Sequence, residues 1–136
     1  MLKSTTIVCL DVGEKRIGVA IGDSAIRIAI AFETIEVDGS EIDAISKIFA
    51  KENASILIIG YPRNQSGEST AQTRYVEEFA KRFEPIVPKI IFQDESLTSV
   101  LAEDQLIATC KPYTKGDIDA RAAAIILQDF MEANYA

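Results

Sequence analysis

The chain has 136 residues, an apolar content of 48% and a net charge of −7. This length is enough for one domain with a buried core, and the apolar fraction argues against intrinsic disorder. The negative charge does not favour nucleic-acid binding, although a bound cation would supply positive charge locally. The absence of histidine excludes imidazole-based triads and histidine metal ligands, and Cys9 and Cys110 are not spaced as a metal motif. A metal would therefore be held by oxygen, which suits Mg²⁺ or Mn²⁺.

Apolar periodicity and turn residues predict nine elements in the order β-β-β-α-β-α-β-α-α. The predicted elements are strand Thr5–Leu10, strand Ile17–Ile21, strand Ile26–Val37, helix Ser40–Lys51, strand Ser55–Ile59, helix Ser69–Phe83, strand Lys89–Gln93, helix Leu97–Thr109 and helix Ile118–Met131. Ser40 and Asp43 fit a capping box at the start of the first helix. The segment Cys110–Asp117 is polar and is predicted to be a loop.

The order of elements predicts how the strands pair. The first three strands follow one another without a helix, so we expect them to be antiparallel. Helices separate the later strands, and right-handed crossovers would place the fourth and fifth strands parallel to the first. The sequence therefore predicts a single α/β domain over residues 1–136, with a mixed five-stranded sheet and helices on both faces.

Charged residues follow two of the predicted parallel strands. The first strand runs into Asp11, and the fifth strand runs into Asp94 and Glu95. Ligands of open α/β sheets bind beyond the carboxyl ends of the strands. We therefore expect Asp11 and Glu95 to share a site although they are far apart in sequence.

Asp119 is a third candidate for this site. It shares one face of the last predicted helix with apolar residues that should pack on the sheet: Ala122, Ala123, Ile126, Leu127 and Phe130. Three inward carboxylates would repel one another and lose hydration unless a cation neutralised them. Two divalent ions in such a cluster could activate water and stabilise the leaving oxygen in phosphodiester cleavage.

Four blocks of the sequence resemble, in order, the motifs of the YqgF/RuvX family, whose members are described as pre-16S rRNA nucleases and Holliday junction resolvases. The blocks are LDVGEKRIGVAIGD, GYPRNQSG, DESLTSVLAE and KGDIDARAAAIILQDFM. The resemblance implies a ribonuclease H-like fold and a metal-dependent nuclease that processes the 5′ end of pre-16S rRNA in ribosome biogenesis.

The resemblance also implies which residues carry the activity. Asp11, Glu95 and Asp119 would be the catalytic carboxylates and would hold Mg²⁺ or Mn²⁺. The candidates to face the phosphates are Arg16, Arg63, Asn64, Lys111 and Lys115. Ser96 departs from the family pattern, which usually has arginine there, so one phosphate-facing charge is missing or comes from another residue.

Each of these features has a simpler interpretation when taken alone. Asp11 could make an Asx-type turn, and Asp94–Glu95 or Asp119 could stabilise the first turn of a helix. Lys111 and Lys115 could be hydrated loop charges. The functional interpretation is preferred because all of these residues fall at one predicted edge and in the order of the family.

Other functions remain open at this stage. The same acidic site would serve a Holliday junction resolvase acting on branched DNA, and the fold could be kept by a non-catalytic RNA- or protein-binding factor. ATPases of the actin and sugar-kinase type also begin with a DVG hairpin, but they enclose their nucleotide between two domains. No signal peptide or membrane span is visible, so we expect a cytoplasmic protein, either a monomer or a homodimer.

Overall fold

Strands and helices alternate along the second half of the chain, after an N-terminal group of three strands. The computed structural model describes residues 4–62, 70–95 and 98–135. Its elements are β1 Thr6–Val12, β2 Arg16–Asp23, β3 Ala29–Glu36, α1 Glu41–Lys51, β4 Ile56–Pro62, α2 Ala71–Lys81, β5 Ile90–Glu95, α3 Thr98–Ala108 and α4 Lys115–Tyr135.

The strands form one mixed sheet in the order β3-β2-β1-β4-β5. β2 pairs antiparallel with both β1 and β3. β4 pairs parallel with β1, and β5 pairs parallel with β4, as the crossover rule predicted. The carboxyl ends of β1, β4 and β5 therefore lie at one edge of the sheet, which confirms the predicted fold class.

Alternation along β1 divides the core between the two faces of the sheet. Val8 and Leu10 lie in the cluster covered by α1 and α2, whereas Ile7 and Cys9 lie in the cluster covered by α4. All four side chains are fully buried, so β1 is the central strand of the core. α3 packs against α4. In the described ranges, no helix is long and apolar enough to cross a membrane.

Two elements near the predicted site are longer than the sequence indicated. β5 continues through Glu95 because Tyr61 pairs with Asp94 and Pro62 pairs with Glu95 in the parallel ladder. Glu95 is thus the last residue of a strand, whereas the predicted strand ended two residues earlier, at Gln93. A strand position fixes its side chain on the same face as Ile91, which packs on the α4 side.

α4 begins at Lys115, three residues before the predicted start. The backbone N–H of Thr114 donates to the Asp117 carboxylate at 2.8 Å, and the Asp117 N–H donates to the Thr114 hydroxyl at 3.1 Å. This reciprocal pair caps the helix and places Asp119 one turn inside it. The loop predicted over Cys110–Asp117 therefore ends earlier than predicted, at Thr114, where α4 is capped.

The capping box predicted for α1 is wrong. The Ser40 hydroxyl donates to the Asp38 carboxylate at 2.6 Å and makes no hydrogen bond to the helix. β3 also begins later than predicted, at Ala29, because a turn held by the Asp23 carboxylate occupies the preceding residues. Arg27 in that segment has a φ of 62°, which ends regular strand geometry there.

The start of β3 lies at the edge of the sheet and is covered by a side chain of α4. The backbone N–H of Ala29 donates to Gln128 Oε1 at 2.9 Å, and Gln128 Nε2 donates to the Arg27 carbonyl at 3.0 Å. The amide of Gln128 thus uses both of its polar groups on the outer edge of this segment.

Candidate active site

Asp11 lies near the carboxyl end of β1, on the α4 side of the sheet. It belongs to the same alternating face as Ile7 and Cys9 and pairs with Gly18 of β2. The turn between the two strands is closed by a hydrogen bond from the Gly13 N–H to the Arg16 carbonyl, 3.0 Å long. A tight hairpin and a buried strand therefore hold the Asp11 carboxyl at the edge where the parallel strands end.

Glu95 reaches Asp11 from β5, across the intervening strand β4. Their side chains share a hydrogen bond, and two carboxyl groups can do so only if one of them carries a proton. Burial, followed by the negative charges of Glu95 and Asp119, raises the pKa of Asp11 to about 8. Burial also raises the pKa of Glu95. The structure therefore brings Asp11 and Glu95 together at one edge of the sheet, and their role in a shared site stays a prediction.

Gly60 makes room for the Glu95 side chain. A Cβ atom at Gly60 would collide with Glu95 Oε2 and would lie 2.9 Å from Ile126 Cδ1. Glu95 Oε2 itself is buried and has no hydrogen-bond partner. A buried oxygen without a partner costs free energy because it has lost its hydration. A cation bound at this oxygen would compensate for that loss. The predicted strand stops before Gly60, so the sequence did not indicate this role, although a glycine inside a strand signals close approach.

Gly18 brings the first turn of α4 onto the sheet. A Cβ atom at Gly18 would overlap the backbone carbonyl of Asp119 and would lie 2.8 Å from the Ala120 nitrogen. The helix backbone therefore rests directly on the residue that pairs with Asp11. Thr34 helps to hold this turn, because its hydroxyl donates to the Gly116 carbonyl at 2.5 Å. The inward face of Asp119 was predicted from the helix periodicity, whereas the contact with Gly18 was not predicted.

Asp119 is bound to Arg16 in this structure. Arg16 Nε donates to Asp119 Oδ2 at 2.6 Å, and 31% and 23% of the two side chains are exposed. This hydrogen bond is also the main reason why the pKa of Arg16 is raised. Arg16 therefore contacts a carboxylate in this structure, and its predicted contact with phosphate stays a prediction.

The carboxylates of Asp11, Glu95 and Asp119 do not surround a single cation position in this structure. Across residues 4–62, 70–95 and 98–135, no three Asp, Glu or Cys side chains converge on one possible ion position. Asp11 and Glu95 are in contact, while Asp119 influences Asp11 through its charge and points its carboxylate to Arg16. The arrangement is a carboxyl pair with a third carboxylate held beside it.

The other predicted phosphate contacts are only partly described. Lys115 is the first residue of α4, is exposed, and lies one helical turn before Asp119. Lys111 is exposed in the segment between α3 and α4. Arg63 and Asn64, together with Ser96, lie outside the described residues, so their predicted roles are not tested.

The electrostatics and the donor set of the site suit a hard divalent cation. Burial and the charges of Asp11 and Glu95 raise the pKa of the Cys9 thiol beneath them. The available donors are carboxylate oxygens, which Mg²⁺ and Mn²⁺ prefer. A cation here would satisfy Glu95 Oε2 and would replace the shared proton. Asp11, Glu95 and Asp119 therefore fit the role of cation ligands.

Comparison with known proteins gives the family. The model of the RuvX family, described as Holliday junction resolvase, matches residues 5–133. The chain belongs to the RuvX family. A RuvX relative from Sulfurihydrogenibium sp., named "Putative pre-16S rRNA nuclease", is 37% identical over 93% of this chain and 89% of its own length. A relative of the same name from Synechocystis sp. is 38% identical over 97% of this chain and 90% of its own length.

Solved structures confirm the ribonuclease H-like fold of this RuvX chain. RuvC of T. thermophilus in complex with a Holliday junction substrate has a TM-score of 0.55 at 14% identity, covering 95% of this chain and 94% of that one. The fowlpox virus resolvase with Holliday junction DNA has a TM-score of 0.58 at 17% identity, covering 95% and 98%. At such low identity, the likeness concerns the fold.

Proposed function

We propose that this RuvX chain is a divalent-cation-dependent nuclease that hydrolyses phosphodiester bonds of a ribosomal RNA precursor. The observation that carries the proposal is the Oε2 atom of Glu95, which is buried without a hydrogen-bond partner beside the carboxyl group of Asp11. Catalysis would occur at the edge of the sheet where this pair meets Asp119. The names of the relatives support pre-16S rRNA as the substrate.

The chain's residues would bind the cation and position the RNA. Asp11, Glu95 and Asp119 would hold Mg²⁺ or Mn²⁺, which when bound supplies a Lewis acid for the phosphoryl oxygen and makes water more acidic. Asp11 must first lose the proton that it shares with Glu95, because only the charged pair binds a cation. Gly60 leaves room for the Glu95 side chain, and Lys115, one helical turn before Asp119, would orient a phosphate.

The test is a cleavage assay on three substrates of matched length and sequence. The purified chain is incubated with a pre-16S 5′-end RNA, duplex DNA and a four-way DNA junction, each with Mg²⁺, Mn²⁺ or EDTA. We expect cleavage of the RNA with either cation and none with EDTA. The control variant Asp43→Asn removes an exposed carboxylate that pairs with Lys47 on α1, and it should cleave like the wild type.

A junction resolvase is the second candidate. The description of the family and the fold shared with two junction-bound resolvases favour it. Two coordinated cuts across a junction need two sites related by symmetry. Symmetric cuts in the junction, faster than cleavage of the RNA, would replace the first proposal with this one and would require a homodimer.

A non-catalytic binding factor is the remaining alternative. It would bind the RNA without turning it over under any of these conditions. An absence of turnover with both cations, in a folded protein that still binds RNA, would contradict the nuclease proposal. A cytoplasmic location and a monomeric or homodimeric state stay predictions.

A further inference from the structure

Arg16 and Asp119 form an ion pair beside Asp11 and Glu95, at the acidic edge where the parallel strands end. Arg16 is the first residue of β2, and Asp119 lies in the first turns of α4. Arg16 Nε lies 2.6 Å from Asp119 Oδ2. A carboxylate oxygen that accepts so short a hydrogen bond from a guanidinium is not free to serve as a cation ligand. The structure therefore shows Asp119 neutralised by a residue of the chain itself.

We infer that Arg16 is a positioning residue that competes with the divalent cation for Asp119 and turns to the substrate phosphate when the cation takes its place. The inference rests on the proposed function and adds a regulating step to the same site. It reconciles two observations that otherwise conflict. The fold brings Asp119 close enough to raise the pKa of Asp11, yet no described set of three carboxylates converges on one ion position.

Displacing Arg16 from Asp119 is energetically easy. Both side chains keep contact with solvent, at 31% and 23% exposure. Partly exposed ion pairs of this kind change the equilibrium constant of folding by about two- to fivefold in most measurements. Asp11 and Glu95 add their charge to the attraction on a cation, whereas Arg16 is bonded to Asp119 alone among the three carboxylates. A divalent ion should therefore win the competition at millimolar concentration.

Arg16 has a suitable role after displacement. Its guanidinium carries donors in a planar fork that fits two oxygens of a phosphate. It is anchored on β2 beside the acidic edge and is partly exposed, so a rotation of its side chain redirects it without moving the backbone. Glu36, the partner of Arg16 in the β2–β3 ladder, also acts on the guanidinium through its negative charge.

The test measures cation binding directly, by calorimetric titration of Mn²⁺ into the full chain. We expect Arg16→Gln to bind Mn²⁺ about three- to tenfold more tightly, because Asp119 no longer has a competing partner. Arg16→Lys, which keeps the charge but loses the planar fork, should lie between the two. Lys15→Gln is the matched control, since it removes an exposed positive charge one residue away, and it should bind like the wild type.

A double-mutant cycle separates the ion pair from the general effect of charge. In the Asp119→Asn background, Arg16→Gln should no longer tighten Mn²⁺ binding. An equal gain in both backgrounds would overturn the inference, and so would an Mn²⁺ affinity that Arg16→Gln leaves unchanged in the wild-type background. Neither result would affect the nuclease proposal.

RNA binding tests the second half of the inference. With Ca²⁺ present to occupy the site, Arg16→Gln should weaken RNA binding several-fold, and with EDTA it should have no effect. An unchanged RNA affinity with Ca²⁺ would overturn the transfer of Arg16 to phosphate. If Mn²⁺ affinities follow the expected pattern but RNA is never cleaved, the inference stands and the nuclease proposal fails. If neither the wild type nor Arg16→Gln binds Mn²⁺, both are overturned.

Discussion

The backbone of Asp119 rests on Gly18, and no side chain fits between them. Gly18 is also the antiparallel partner of Asp11. One close approach between α4 and β2 therefore sets the distance between two carboxylates that are more than a hundred residues apart in the chain.

Gly18→Ala should therefore destabilise the protein and disturb its site. The added methyl group would overlap the Asp119 carbonyl, and overpacking of this kind costs about 1–3 kcal/mol. We expect a lower free energy of unfolding in urea and weaker Mn²⁺ binding, because α4 must shift outward. Gly116→Ala is the matched control, since its new Cβ would meet other atoms only at 3.5 Å. Equal stability of the two variants would contradict this packing.

Substitution of the three carboxylates should remove cleavage without unfolding the chain. Asp11→Asn, Glu95→Gln and Asp119→Asn should each lower turnover more than about a hundredfold, because even residues outside the first ligand shell cost up to that much. Initial rates on the pre-16S RNA with Mg²⁺ measure the loss, with Asp43→Asn as control. Turnover at the wild-type rate by an Asp11→Asn/Asp119→Asn double variant would exclude this site.

The stability of the cation-free protein should fall as the pH rises from about 4 to about 8. The pKa of Asp11 is about 8 in the folded protein and has its ordinary value of 3.8 when unfolded, so the folded state binds more protons in this window. The loss is at most about 1.4 kcal/mol per pH unit from this group. It levels off above pH 8, where Asp11 is ionised in both states.

Asp11→Asn isolates this contribution. Its free energy of unfolding, measured in urea with EDTA at several pH values, should exceed that of the wild type by a growing margin between pH 5 and pH 8. The cause is the removal of a carboxylate that is buried beside Glu95 and Asp119. Parallel pH profiles for the two proteins would show that Asp11 titrates normally.

Lys115→Ala should weaken RNA binding similarly for all sequences. The side chain is exposed at the start of α4, near Asp119. Loss of one phosphate contact should reduce the slope of log affinity against log salt by about 0.7 for single-stranded RNA. The measurement uses Ca²⁺ to suppress cleavage. Lys51→Ala, at the end of α1, is the control, and identical slopes for the two variants would mean that Lys115 is simply hydrated.

The sequence was sufficient to predict a mixed sheet with β4 and β5 parallel to β1, and to place Asp11 and Glu95 at one edge of it. Strand direction follows from which strands are joined by helices, and the placement of the two carboxyl groups follows from where the parallel strands end. The contact itself depends on Gly60, because Glu95 must cross the width of β4, and that requirement appears only with the register. Register also decides that Gly18 lies opposite Asp11.

The position of Arg16 was beyond prediction for a different reason. Its backbone is fixed by the hairpin, but a long side chain has many rotamers of similar energy. The ion pair with Asp119 also depends on the close approach of α4 to Gly18, which becomes visible only in the structure. The contact of Arg16 with a phosphate stays a prediction.

The Gln128 amide occupies the place of a sixth strand. It accepts from the Ala29 N–H and donates to the Arg27 carbonyl, as a neighbouring backbone would. Beside it lie Ile26, Ile28 and Ile30, which are 67%, 58% and 64% exposed. An open edge next to such apolar side chains is a template for aggregation. A chain that paired with the start of β3 would first have to displace this amide, so one side chain opposes the addition of a strand at this place.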